Sequence, residues 1–433
     1  MPQVAVLGTG MSAFGAAHRL SGERAQVVLY DRNPYFGGHT ISLKYEEGFT
    51  FDIGPHVSFT SDGRIQDIFA ESVGGDYDTH DYRFNNYWQG HWLGHPAQTN
   101  LYGLPPDVIV KVIADFVAAG TGKRDIHNYQ DWLEAAYGKS FADWFPGRYT
   151  FKYHTTSAEN LTTDWMGPRM YRPKLEELLF GALSRDTPNV HYIQKFRYPR
   201  HGGFEAYLKS WARSNQLRLG HEVVRIDPTS RTLAFRDGTL ARYDGLVSSI
   251  PLPEVVKLIE GVPDEVLAAA ARLACSSCVL VNIGVAREDL ADVHISYFYD
   301  LDVIFPRISF PRLMAESNVP PGCSSVQVEV YFSPKYRPFT GEARNYIDPV
   351  IRDLKRCGVF RDDERIVMQD AVFVPYANII FDHDRASALA TVHGFLDEVR
   401  IRPCGRYGEW AYFWTDDSFK SGEKAAERAL GDL

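Results

Sequence analysis

The spacing of apolar positions opens on a continuous run, Val4-Ala5-Val6-Leu7, as in a strand buried on both faces. Residues 3–8 are therefore expected as a strand. Residues 11–21, rich in small side chains, are expected as a helix, and residues 25–30 (AQVVLY) as a second strand. Residues 49–59 alternate apolar and small positions. Residues 105–190 are mostly helical in pattern, with clear periodicity over 108–117 and 129–137. The character changes again over 219–250. Val223-Val224-Arg225-Ile226, then Thr232–Phe235, an Asp237-Gly238 turn and residues 245–250 read as a hairpin leading to another strand. Residues 275–335 are rich in Val, Ile, Phe and Tyr and predict strands of a larger sheet. Residues 419–430 read as a closing helix. The first β-α-β unit is too small to stand alone, so later segments must return to complete its sheet.

Composition narrows the class. Hydrophobic residues make up 45% and charged residues 23%, an ordinary globular balance. With aromatics at 13% and no long charge block, disorder is not the dominant state. A length of 433 residues suggests two or three lobes. Lys and Arg number 46 against 55 Asp and Glu, a net charge of −9, which disfavours a general nucleic-acid binder. No long apolar run predicts a membrane span. The first strand begins with no basic segment before it, which points to the cytoplasm. Cys275 and Cys278 form an isolated C-x-x-C without a second ligand pair, so reduced thiols are expected, not zinc. His91 and His95 would share a helix face, but Gly94 and Pro96 argue against a helix there. No metal site is expected.

The first chemical signal is Gly8-Thr9-Gly10-Met11-Ser12-Ala13, a G-x-G-x-x-G/A motif after a strand and opening a helix. Gly8 permits the tight turn, Gly10 lets a pyrophosphate approach the backbone, and Ala13 allows close packing. The helix N-terminus at Met11 and Ser12 favours the anion. Asp31, followed by Arg32, ends the second strand about 20 residues on, where a carboxylate holds ribose hydroxyls. Strand, helix, second strand and acid in register indicate dinucleotide binding. Gly37-Gly38-His39 adds a second turn that brings backbone close to a ligand.

Together these segments resemble the entry of the FAD-binding amine-oxidase-like superfamily, which includes protoporphyrinogen oxidases and UDP-galactopyranose mutases. Phe51-Asp52-Ile53-Gly54-Pro55-His56 resembles another signature of that group; in the mutases the matching His lies beside the flavin. The likeness then runs along nearly the whole chain. Gly94-His95-Pro96-Ala97-Gln98-Thr99-Asn100, with Leu104-Pro105, looks like the mutase segment that reaches the nucleotide. Tyr149-Thr150-Phe151-Lys152 resembles a binding segment of the helical domain. Trp165-Met166-Gly167-Pro168-Arg169 resembles the mutase W-x-G-x-R, and Phe196-Arg197-Tyr198-Pro199 with Gly202-Gly203 its F-R-[FY]-P…GG stretch. Arg307 lies where that family has its second substrate arginine. Tyr376 and residues 405–412 resemble its C-terminal elements.

The resemblance, to the eukaryotic-type mutase branch, implies a mixed α/β fold. A Rossmann-like FAD-binding domain (1–81, 205–272 and 396–433) is interleaved with a helical domain (105–190). A mainly antiparallel sheet domain makes up the rest (82–104, 191–204 and 273–395). It implies cofactor contacts from Gly8, Gly10, Met11, Ser12, Asp31, Arg32, Gly38, His39, His56, Val224, Arg406, Tyr412, Asp417 and Ser418. Substrate contacts fall to Gln98, Tyr149, His154, Arg169, Arg307, Tyr376 and Tyr412, with His56, Arg169 and Arg307 in catalytic places. Guanidinium forks and tyrosine hydroxyls are natural partners for a diphosphate, which agrees.

Three departures stand out. Ala97 replaces an aromatic near the base, and His154 replaces a tryptophan beside the sugar. Thr415-Asp416-Asp417-Ser418 stands where mutases have Asn-Gln. His154 reads either as a sugar ligand or as a buried histidine. Arg406, in a Gly-flanked turn before the last expected strand, reads either as an FAD contact or as a partner of Glu409. Ser418 or Asp417 is expected to cap the following helix. The implied activity is pyranose–furanose interconversion of a nucleotide sugar. It would pass through a sugar adduct on N5 of reduced FAD, with NAD(P)H or dithionite as electron donor. The rivals are an FAD-dependent amine-oxidase-like oxidoreductase and an inactive FAD-binding scaffold.

Overall fold

The structure, a computed structural model, describes residues 1–120, 125–167 and 170–433. Arg169 lies outside the described residues. The chain is a mixed α/β protein in which a parallel-sheet Rossmann-like domain, a helical region and antiparallel sheets interleave. β1 (Gln3–Leu7), α1 (Met11–Leu20) and β2 (Gln26–Asp31) form the opening unit. Three later segments complete its parallel sheet, in the order Ile401–Pro403, Gly245–Ser248, β1, β2, Gln216–Leu219. β1 and Gly245–Ser248 are sandwiched between helices, which is why they read as continuous apolar runs.

α1 is almost wholly buried because its small residues admit a second helix, Thr415–Gly431, at backbone contact. A Cβ added at Gly15 would lie 2.1 Å from the Phe419 carbonyl oxygen. One added at Gly422 would lie 1.8 Å from the Ser12 carbonyl oxygen. The expected hairpin is a three-stranded meander, Val223–Asp227, Thr232–Phe235 and Leu240–Arg242.

A seven-stranded sheet forms the second layer. Its order is Ile366–Val374, Ser277–Val285, Ser324–Phe332, Arg307–Ser309, Ile295–Phe298, Phe84–Trp88, His91–Gly94. All neighbours are antiparallel except Ile295–Phe298 with Phe84–Trp88. Ser277–Val285 and Ser324–Phe332 are buried along their whole length, so this sheet is covered on both faces at its centre. His91 and His95 are not on a helix; His91–Gly94 is an edge strand.

Helices Pro106–Gly120, Tyr129–Tyr137, Arg148–Tyr153 and Leu175–Leu183 pack over one end of this sheet. Residues 184–194 contain no regular element, although their pattern reads as helical. Lys195–Pro199 pairs with Tyr77–Asp81 in a separate ribbon. Within 49–59 only Thr50–Asp52 is a strand, paired with Ser42–Lys44; the rest is loop. After Ile401–Pro403 comes a short helix, Gly405–Gly408, and no further strand. Arg406 therefore follows the last strand instead of preceding one. No helix among the described residues is long and apolar enough to cross a membrane.

Candidate cofactor and substrate site

One cavity of about 600 Å³ runs from the carboxyl ends of the parallel strands to the inner face of the seven-stranded sheet. That volume is in the range of small-molecule and cofactor pockets. At its first end Gly8 sits at φ 107° and donates its N–H to the Tyr30 carbonyl at 2.7 Å. The Gly37 N–H donates to the Thr9 carbonyl at 3.0 Å, tying the second glycine turn to the first. A Cβ on Gly38 would lie 3.5 Å from Gly10 Cα. Bare backbone thus walls the space in front of the α1 N-terminus, where Met11 and Ser12 also line the cavity. Such a wall suits a pyrophosphate.

Asp31 and Arg32 border the same end. Asp31 is held in place by the Thr9 hydroxyl at 2.5 Å and the Asn33 N–H at 2.9 Å. Two carboxylate oxygens still leave acceptor capacity for ribose hydroxyls. From the meander it is Val223 that lines the cavity, while the Val224 side chain is 39% exposed on the outer face. Strand alternation accounts for the difference of one residue.

Two histidines line the middle. The His56 Nδ1 lies 3.0 Å from the Gly54 carbonyl, and the His39 Nε2 lies 2.8 Å from the Tyr376 carbonyl. A carbonyl only accepts, so each ring donates there and keeps its other nitrogen as an acceptor. Burial pushes both pKa values down to about 4, so both rings are neutral at neutral pH.

The far end is a chamber of tyrosines and two guanidinium groups. Arg307 is paired with Glu329 through both carboxylate oxygens, one of them at 2.7 Å from Nη2, and lies over the Tyr153 ring at 5.6 Å. The Tyr331 hydroxyl donates to Glu329 at 2.9 Å. The Tyr153 hydroxyl donates to Asn378 Oδ1 at 2.9 Å and lies 3.4 Å from that of Tyr412. Arg406 lies over Tyr412 at 5.2 Å. It donates to the Phe413 carbonyl at 2.9 and 2.7 Å, and to Ala377 and Asn378 at 3.3 and 3.4 Å. Its expected alternative partner, Glu409, instead accepts from the Ser421 hydroxyl. Ser418 lines the cavity. Asp417 lies one turn into its helix and accepts from the Trp414 N–H at 3.1 Å, so it closes the N-terminus from inside, not from the N-cap.

The other expected substrate residues do not line this chamber. His154 is the first residue past helix Arg148–Tyr153, and its ring packs on Trp165 at 5.4 Å, buried, with Nδ1 unpartnered. Its neighbour Tyr153 takes the cavity wall. Tyr149, one helical turn earlier, stacks on Tyr153 at 5.2 Å. Gln98 donates to the Tyr171 carbonyl at 3.1 Å. Tyr376 lines the cavity at the nucleotide end, where burial and then Glu254 raise the pKa of its hydroxyl. Thr9, Tyr153, Glu329, Tyr331 and Asn378 were not anticipated. The i, i+2 spacing of Glu329 and Tyr331 is the signal for two side chains on one strand face. Among the described residues no group of three or more His, Cys, Asp or Glu is placed to hold a metal. All five cysteines are free.

Comparison with known proteins bears on this geometry. Residues 6–72 match the family described as "NAD(P)-binding Rossmann-like domain". The 4,4'-diapophytoene desaturase (4,4'-diaponeurosporene-forming) of Staphylococcus haemolyticus (strain JCSC1435) is 37% identical over 69 residues, 16% of this chain and 13% of that protein. The same-named protein of Staphylococcus aureus (strain Newman) is 33% identical over 76 residues, 18% and 14% respectively. The match thus spans only 13% to 14% of the length of these curated relatives. The chain is in this respect a protein built on a dinucleotide-binding, Rossmann-like domain. Its whole fold is that of UDP-galactopyranose mutase. The reduced form of that enzyme superposes with a TM-score of 0.92 at 24% identity, over 100% of this chain and 96% of the other. A putative protoporphyrinogen oxidase from Exiguobacterium sp. 255-15 gives a TM-score of 0.76 at 15% identity, over 100% and 99%. A redesigned putrescine oxidase gives 0.67 at 13%, over 99% of both chains. At these identities the likeness is one of fold.

Proposed function

We propose that the protein is an FAD-dependent enzyme that interconverts the pyranose and furanose forms of a nucleotide sugar. The observation that carries this reading is the far chamber. Tyrosine hydroxyls and two guanidinium groups line the end of a cavity whose other end is built for a dinucleotide, within a mutase fold. The residues suit FAD: Gly8, Gly10 and Gly38 leave room where a pyrophosphate would lie, Asp31 would accept from a ribose hydroxyl, and the far chamber would take the ring. When bound and reduced, the flavin would supply the nucleophile.

The chain's own groups orient and neutralise. Arg307, held flat by Glu329, and Tyr331 form a rigid wall against which a sugar can be positioned. The Tyr412 hydroxyl offers a neutral hydrogen bond to a leaving diphosphate, with Arg169 as its cationic partner, while the Tyr153 proton is already given to Asn378. Neutral His56 presents an acceptor nitrogen to the middle of the cavity. The packed aromatic cluster of Tyr149, Tyr153 and Tyr297 excludes water from that side. No side-chain nucleophile is needed, and burial raises the Cys275 thiol to about 12.

The second reading, an oxidoreductase acting on a small molecule, draws on one observation. The charge of Arg307 is already cancelled by Glu329, which weakens its pull on a diphosphate. Product analysis with a panel of nucleotide sugars, run with oxidised and dithionite-reduced protein, tests both. Ring isomerisation by the reduced form alone is expected. Peroxide formed in step with turnover would replace the mutase reading by the oxidase, and equal isomerisation by the oxidised form would remove the flavin nucleophile.

A further inference from the structure

The two guanidinium groups of the far chamber differ in their partners. Arg307 is paired with Glu329 through two oxygens, with the Tyr331 hydroxyl closing the same carboxylate. Its charge is cancelled on the spot. Arg406 has only neutral acceptors: the carbonyls of Phe413 and Ala377, and the Asn378 amide oxygen. Among the described residues no carboxylate stands within ion-pair distance of it. His39 and His56 are neutral, and the tyrosines carry no charge. The chamber therefore holds one net positive charge, on Arg406, and a buried charge calls for a counter-charge.

Arg406 contacts the groups of the far end. Its guanidinium shares Asn378 with Tyr153, and Tyr153 carries Arg307 on its ring. It also lies over Tyr412, whose hydroxyl meets that of Tyr153. The phosphate wall is made separately, by the glycine turns and the α1 N-terminus.

Resting on the FAD reading above, we propose that Arg406 and Glu329 together set the charge state of the flavin. Arg406 supplies the one positive charge that matches a singly negative reduced ring, and Glu329 stops Arg307 from adding a second. Oxidised flavin takes up two electrons and one proton, at N5, and becomes the monoanion with N1 unprotonated. A hydride donor delivers the same balance in one step, and dithionite with a solvent proton does so in two. Arg406 favours the product of this step over the neutral oxidised ring. Glu329 is a positioning residue, since it acts through Arg307.

The test is flavin thermodynamics, not turnover. The full-length protein, stripped of FAD and reconstituted, is measured as wild type, Arg406→Met, Arg406→Lys and Glu329→Gln. The readouts are Kd for oxidised and for reduced FAD, the midpoint potential, and the N1 ionisation of the reduced ring followed by absorbance. Arg406→Met is expected to weaken reduced FAD at least tenfold more than oxidised FAD. That lowers the two-electron potential by about 30 mV or more. Arg406→Lys keeps the charge and restores most of the difference. Glu329→Gln frees the second cation and moves potential and N1 ionisation the opposite way. If Arg406→Met weakens both redox forms equally, Arg406 serves the pyrophosphate and the proposal is overturned. Should Arg406→Met hold no FAD, Glu329→Gln decides alone, and an unchanged or lowered potential in it overturns the proposal. A wild-type chain that binds no FAD at all refutes the cofactor reading itself, a distinct result.

Discussion

The crossing of α1 with helix Thr415–Gly431 turns one chemical change into two opposite expectations. Gly422 lies where an added Cβ would sit 1.8 Å from the Ser12 carbonyl oxygen and 2.8 Å from the Ala16 nitrogen. A carbon and a carbonyl oxygen need roughly 3.3 Å, so Gly422→Ala must push the helices apart by about 1.5 Å. Both close atoms are backbone, so no side chain can swing away. A gap of even 0.5–1 Å forfeits about a quarter to a half of the dispersion energy at each contact. Overpacking of this kind costs about 1–3 kcal/mol, and the better helix propensity of Ala returns about 1 kcal/mol. The net expectation is a loss of up to about 2 kcal/mol. Gly394 provides the control. It lies within helix Arg385–Glu398, exposed, with nothing within 4 Å of an added Cβ. Gly394→Ala should therefore gain up to about 1 kcal/mol. Urea unfolding of both variants, with m-values compared to confirm a common transition, reads the difference. Because α1 and the partner helix both begin at the cavity, Gly422→Ala should also weaken FAD binding, whereas Gly394→Ala should not. If Gly422→Ala is as stable as Gly394→Ala and binds FAD equally, the backbone crossing is wrong.

Further expectations can be checked separately. Gly10→Val places a branched side chain at the phosphate wall and should abolish stoichiometric FAD, read as loss of flavin absorbance in a folded chain. Arg307→Lys keeps the charge but loses the fork onto Glu329. Affinity for the nucleotide sugar should fall by about 0.5–1.5 kcal/mol while that for the bare nucleoside diphosphate and the FAD content stay unchanged, measured by titration calorimetry. Buried His154 has its pKa lowered to about 4 by desolvation, so the unfolded chain binds more protons between pH 4 and 6.5. Its contribution is fully present above pH 6.5 and is lost as pH falls toward 4. His154→Phe should shrink the stability difference between pH 7 and pH 4.5 by about 2–3 kcal/mol in urea melts.

Much of the nucleotide end was legible because its chemistry is local. Gly8, Gly10, Asp31 and Gly38 lie within one short stretch whose spacing is dictated by a strand, a turn and a helix. The structure places all four on one cavity. The far chamber was harder to read, since its members come from five distant segments and face it only through sheet register and helix phase. Tyr153 and His154 show the problem. The helix ends between them, and one residue of rotation sends one ring to the cavity and the other into the core. Val223 and Val224 differ in the same way by strand alternation. Glu329 escaped notice because a single acid in an apolar strand reads as incidental until the register sets it opposite Arg307. The stretch after Pro403 read as a Gly-flanked turn before a strand. Instead it forms a short helix, Gly405–Gly408, and the backbone beyond bonds to local groups and to Arg385 and Arg406, not to a strand.

The contact between α1 and Thr415–Gly431 also has a bearing on how the chain is made. About 400 residues separate the two helices. At about 5–20 residues per second, the ribosome needs roughly 20–80 s to deliver the second after the first. Throughout that interval the opening β-α-β unit exists without the surface that covers it. It cannot mature ahead of the rest, as an autonomous leading domain would. The nascent chain must instead keep α1 shielded by its own loose collapse or by a chaperone. On the FAD reading, the cofactor would be captured only after Thr415–Gly431 has joined α1.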